Sequence, residues 1–181
     1  MSYNVLEERT YTLFMSSADK VSGTNNKATF FIDWSQFLPD NFNEYKVIFS
    51  FQTVGGYYKD TGSVVYSTAK VAIDFGSRQF SYDTSSRSTG FTLGYITRDQ
   101  QTTTSSSNIL SAFYYQYPAK SMTRPSNTSI TVSLTNMYNG QPLVTTDNTG
   151  TAQGDMTAWQ MSIEFIPIQT SRIGDIKFHN L

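Results

Sequence analysis

Apolar side chains recur along this chain at every second position in short runs, with polar residues between them. The longest run is residues 44–54 (EYKVIFSFQTV), where Tyr45, Val47, Phe49 and Phe51 alternate with Lys46, Ser50 and Gln52. A period of two, in a segment rich in β-branched and aromatic residues and free of Gly and Pro, predicts a strand with one face in a core. Ile48 interrupts the polar side, so partial cover of that face is expected. Its length and regularity predict a central strand.

Seven further segments follow the same rule. Residues 9–16 (RTYTLFMS) set Tyr11, Leu13 and Met15 on one face, and residues 28–34 (ATFFIDW) alternate Phe30, Ile32 and Trp34. Residues 69–75 bring Val71, Ile73 and Phe75 inward, and residues 91–97 put Phe91, Leu93 and Tyr95 in phase. Residues 111–117 (SAFYYQY) are strongly aromatic. Residues 129–135 (SITVSLT) alternate most cleanly, with Ile130, Val132 and Leu134 against Ser and Thr. Residues 157–168 (TAWQMSIEFIPI) align Trp159, Met161, Ile163 and Phe165, and Pro167 marks a strand end or an edge.

Polar loops separate these runs. Residues 17–27 carry the Asn25–Asn26 pair, residues 100–108 (QQTTTSSSN) are of low complexity, and Asn139–Gly140 is a turn signal. Residues 36–38 suit one turn of helix, and nothing predicts a helix longer than two turns. Eight strands joined by loops predict an all-β antiparallel sandwich or barrel. The count fits a jelly roll, two Greek-key sheets packed face to face, and also an up-and-down barrel. Residues 1–181 are expected to form one domain, because neither side of the 100–108 loop has enough strands to stand alone.

Composition narrows the functional classes. Charged residues make up 15% of the chain, well below the roughly 25% of an ordinary soluble domain, so hydroxyl and amide groups supply most of the surface polarity. The net charge of −1 and the scattering of Lys20, Lys27, Arg78, Arg87, Arg98, Lys120 and Arg124 over separate loops argue against nucleic-acid binding. The absence of cysteine removes disulfides, thiolate metal sites and cysteine nucleophiles. The opening MSYNVLEERTYTLF has neither the basic nor the apolar region of a signal peptide. No apolar run approaches the ~20 residues of a membrane-spanning helix.

Candidate chemistry is sparse. The single histidine, His179, lies near the C-terminus and meets no acid that the sequence singles out, so no catalytic triad is expected. The fourteen acidic residues are spread along loops and outward strand positions, and no pair stands out as a glycosidase dyad. Asp147, Asn148 and Thr149 with Asp155 form an oxygen-rich cluster without the regular spacing of a calcium loop, and a solvated turn is the expected reading. Asn127–Thr128–Ser129 has the form of a glycosylation sequon. No catalytic residue, cofactor or metal is expected, and the protein is not expected to be an enzyme. Tyr57 and Tyr58 in a Gly-rich loop, and Tyr114, Tyr115 and Tyr117, suit either stacking on sugar rings or a subunit interface, where tyrosine is enriched.

Two stretches carry a resemblance. Residues 16–34 (SSADKVSGTNNKATFFIDW) combine a strand ending in Ser-Ser, an Asp-Lys, a Ser-Gly-Thr and an aromatic–aliphatic strand; residues 159–168 close on Glu164–Phe165–Ile166–Pro167. Both resemble the single-jelly-roll penton and minor capsid proteins of double-stranded DNA viruses, in the lineage of large eukaryotic viruses, virophages and polinton-like viruses. Only about ten residues precede the first strand, which departs from members with a long N-terminal arm. The resemblance implies a single eight-stranded jelly-roll β-sandwich of two antiparallel sheets. It also implies a structural role in the virion, made in the host cytoplasm: the vertex penton of an icosahedral capsid, a homopentamer touching neighbouring major and minor capsid proteins. The alternatives are a minor capsid or cement protein between major capsomers and, in another class, a lectin-like carbohydrate-binding sandwich. For lateral contacts the candidates are Tyr57, Tyr58, Tyr115, Ile176 and Phe178.

Overall fold

A computed structural model of the chain describes residues 9–53, 68–78, 91–98, 110–112, 120–137, 140–144 and 153–168. In chain order the strands are β1 (Tyr11–Ser16), β2 (Ser22–Thr24), β3 (Lys27–Phe31), β4 (Glu44–Thr53), β5 (Thr68–Ile73), β6 (Phe91–Arg98), β7 (Leu110–Ala112), β8 (Lys120–Thr123), β9 (Ser129–Asn136) and β10 (Trp159–Pro167), with one helical turn, α1 (Trp34–Phe37), before β4.

Strand β4 is central, as its pattern predicts. One edge pairs antiparallel with β10 from Trp159↔Thr53 to Pro167↔Tyr45, and β10 pairs in turn with β1. The other edge takes β7, opposite Phe51 and Gln52, and then β8, opposite Glu44–Val47. Between β7 and β8 the chain spends seven residues (113–119) where β4 has three (48–50), so the two short strands hold β4 in registers four residues apart. The second sheet runs β2-β3-β9-β5-β6. With β7 and β8 counted as one interrupted strand along the edge of β4, antiparallel sheets of four and five strands make a β-sandwich.

The connections make it a jelly roll. The chain passes from β1 to the opposite sheet at β3, returns at β4, crosses to β5 and β6, returns at β7 and β8, crosses to β9 and ends in β10. An up-and-down barrel would place consecutive strands side by side; here β10 separates β1 from β4, and β9 separates β3 from β5. Strand β7 also pairs with β6 through Thr97↔Ser111, which joins the two sheets along one side.

The core lies between the sheets. Tyr45, Val47, Phe49 and Phe51 from β4 meet Trp159, Met161, Ile163 and Phe165 from β10, all buried, with Ile130, Val132 and Leu134 from β9 facing them. Aromatic rings span the layers: Phe30 of β3 lies 6.0 Å from Trp159, and Phe75 lies 5.9 Å from Phe165.

Three expectations change. Trp34 does not alternate on a strand, because β3 ends at Phe31. The Asp33 carboxylate accepts from the Ser35 N–H (3.0 Å) and the Ser35 hydroxyl (2.6 Å), which caps α1 in place of continuing the ladder. The Ser35 hydroxyl, helped by backbone N–H groups, holds that carboxyl below its usual range. Trp34 still enters the core, from α1, and its indole N–H donates to the Asn127 carbonyl at 2.8 Å.

Tyr95 is also out of phase with Phe91 and Leu93. The pairing steps from Val71↔Gly94 to Ala72↔Thr92, leaving Leu93 as a bulge, so Tyr95 pairs beside Lys70 and Ile96 takes the buried position. The polar segment 17–27 holds a 3₁₀ turn, Ser17–Asp19, and strand β2, which makes a hairpin with β3. The strand expected at residues 111–117 is seen at its start as β7, residues 113–117 lie outside the described residues, and β8 follows.

Two variants test these placements. Gly76 has φ +64°, and a Cβ there would overlap Asn127 Oδ1 and Ser126 Oγ, so Gly76→Ala is expected to cost about 1–3 kcal/mol in urea unfolding. Tyr45 is buried, its hydroxyl donates to the Pro39 carbonyl at 3.2 Å, and burial raises its pKa above 10.0. The folded state then holds this proton more tightly than the unfolded chain, so its contribution is full below pH 10.0 and declines as pH rises through the raised value. Tyr45→Phe is expected to cost about 1 kcal/mol at neutral pH and to make the alkaline loss of stability shallower than in the parent.

Candidate functional site

Three features of the described surface have the chemistry to contact something else: a groove on the outer face of the four-stranded sheet, and two exposed phenylalanines, one on each sheet. The groove follows from register. Side chains on β1, β10 and β4 that face away from the core fall into rows: Thr12, Glu164 and Ile48; then Phe14, Ser162 and Ser50; then Ser16, Gln160 and Gln52. The middle row is low in the centre because two serines stand between larger neighbours. This leaves a groove of about 460 Å³, with Asp19 at its rim.

Its floor is satisfied internally, since the Ser50 and Ser162 hydroxyls lie 2.8 Å apart and share a hydrogen bond. Gln52 and Gln160 are exposed, and Phe14 is 79% exposed. On the other sheet Phe31 is 70% exposed, opposite Ser129 of β9. Both phenylalanines occupy the polar phase of strands whose alternate residues enter the core. The expected partial cover near Ile48 matches its half-buried position between Glu164 and the β8 side of the sheet.

The two ends of the sandwich are closed by polar side chains. At one end the Asp155 carboxylate accepts from the backbone N–H groups of Asn25 (2.9 Å), Asn26 (3.1 Å) and Met156 (2.8 Å). Trp159 joins the same knot: its indole N–H donates to the Asn25 carbonyl (2.6 Å), and its backbone N–H donates to the Ser17 hydroxyl (3.0 Å). Asn26 reaches across to donate to the Leu143 carbonyl at 2.9 Å. At the other end Arg124 donates to the carbonyls of Trp34 (3.2 Å) and Leu38 (2.8 Å) and pairs with Asp40. The Asn127 side chain donates to Asp74 at 3.1 Å, which gives the sequon asparagine a structural task.

The oxygen-rich cluster expected around Asp155 resolves into this hairpin clamp for the part that is described; Asp147, Asn148 and Thr149 lie outside the described residues. Among the described residues no three His, Cys, Asp or Glu side chains gather to hold a metal. The candidate contact residues Tyr57, Tyr58, Tyr115, Ile176 and Phe178 and the single His179 also lie outside the described residues. The groove was not predicted, since its rows exist only once the register of three strands is known. Phe14 and Phe31 were visible as aromatics in the wrong phase. Compared with protein-family models, with curated proteins and with solved structures, the chain matches none. No helix among the described residues is long and apolar enough to cross a membrane.

Asp155→Ala removes the acceptor of three backbone donors and is expected to cost about 3 kcal/mol in urea unfolding. Asp155→Asn is expected to lose nearly as much, because one carboxylate oxygen becomes a second donor facing a donor.

Proposed function

We propose that this chain is a structural, non-enzymatic protein of an icosahedral double-stranded DNA virus capsid, the vertex penton, assembling as a homopentamer. The observation that carries the reading is the β1-β10-β4-β8 and β3-β9-β5-β6 strand order, a jelly roll without a large inserted domain in a chain of 181 residues. A jelly roll alone serves many functions. The resemblance at residues 16–34 and 159–168 directs this one to capsid proteins.

The surface supports that use. A ring of five copies needs two different lateral faces that complement each other and close by rotation. A chain with 15% charged residues can bury such faces without stranding ions, and the exposed Phe31 of the second sheet adds apolar contact. The neighbouring partners are further capsid proteins, major and minor. Placement between capsomers as a minor capsid protein is the related reading, and it differs in predicting no pentamer from the isolated chain.

Native mass spectrometry of the purified chain is expected to give five times 20.4 kDa. Replacing Tyr57 and Tyr58 together by Ser is expected to weaken that assembly and leave the fold intact by circular dichroism. A chain that stays monomeric at every concentration and is absent from purified virions overturns the capsid reading.

A further inference from the structure

The groove on the outer face of the four-stranded sheet has a use that does not depend on the capsid reading. We propose that it binds a neutral saccharide, with Gln52 and Gln160 as the hydrogen-bonding pair and Phe14 as the stacking platform.

The two glutamines are register partners on adjacent strands, so their carboxamides rise side by side at the ~4.8 Å strand spacing. Each offers two N–H donors and a carbonyl acceptor from one planar group. Vicinal sugar hydroxyls present the complementary set, each able to donate and accept. Ser16 continues the row across Gln160, and its hydroxyl, which accepts from the Ala18 N–H at 3.2 Å, keeps its own proton to donate. Phe14 stands one row away with its ring 79% exposed, a flat apolar surface for the C–H face of a pyranose ring. The volume of about 460 Å³ lies within the range of small-molecule sites.

Charge and backbone geometry decide against other ligands. Among the described residues that line the groove, Asp19 is the ionisable one, and it accepts from a hydroxyl and repels an anion. No cation lines it among the described residues, so they offer no counter-charge to phosphorylated, sulfated or carboxylated ligands. An extended peptide that adds to a sheet needs a free strand edge. The groove instead crosses the face of β1, β10 and β4, whose backbones pair with one another beneath it.

The test is a titration of the full chain with lactose, maltose, cellobiose and chitobiose, followed by saturation-transfer NMR and by the side-chain amide signals of Gln52 and Gln160. At least one disaccharide is expected to saturate transfer and move both amide pairs. Gln52→Ala with Gln160→Ala, and separately Phe14→Ala, are expected to weaken that binding about tenfold, the loss of one to two neutral hydrogen bonds or one stacked ring. All three positions are exposed, so the thermal midpoint should not move. Four results overturn the proposal: no response from any of the four sugars, binding unchanged in the double variant, shifts centred away from the groove, or displacement of the sugar by simple anions.

Discussion

The pairing of β4 with β10 is the constraint on which the rest of this structure depends. The two strands are distant in sequence, yet they run together from Tyr45↔Pro167 to Thr53↔Trp159 without a slip. Because side chains alternate with period two, a one-residue shift of β10 against β4 would turn Trp159, Met161, Ile163 and Phe165 to solvent together. The register therefore holds the core in place, and the same register sets the outer rows from which the groove is built. Inner packing and outer chemistry are two readings of one ladder.

Backbone pairing alone leaves the ends of a sandwich open, and here side chains close them. Asp155 gathers the N–H groups of Asn25 and Asn26 in the β2–β3 turn and of its neighbour Met156, while Arg124 gathers the carbonyls of Trp34, the first residue of α1, and of Leu38, just past its last. One end is held by an anion receiving donors and the other by a cation supplying them. In a chain with so few charges, these two ionic groups are spent on backbone that no strand partner satisfies.

Much of the layered architecture was legible from alternation, because a half-buried strand must alternate. The β4 and β9 patterns transferred to the structure residue by residue. What failed did so for local reasons. Asp33 and Ser35 turned the chain into α1 through a hydrogen bond that period counting ignores, and the bulge at Leu93 reversed the phase of Tyr95 and Ile96. Strand β8 has Met122 as its buried apolar residue, too little to make a pattern. The groove was illegible for a different reason: Ser50, Gln52, Gln160 and Ser162 are unremarkable on their own strands, and they acquire meaning only as neighbours. Phe14 and Phe31 were the available signal, since an aromatic on a polar face has to be accounted for.

The link through β7 gives the sandwich a spine. On that side a continuous run of hydrogen-bonded strands passes from β4 through β7 to β6, so the two sheets share backbone bonds like pages sewn along one margin. The opposite margin ends in β1 and β2, and there the described strands of the two sheets have no backbone ladder between them. That fore-edge is held by the Ser17, Asn25 and Trp159 contacts. Among the described strands, separating the two layers at the fore-edge would break no backbone ladder, whereas separating them at the spine would break the β6–β7 ladder.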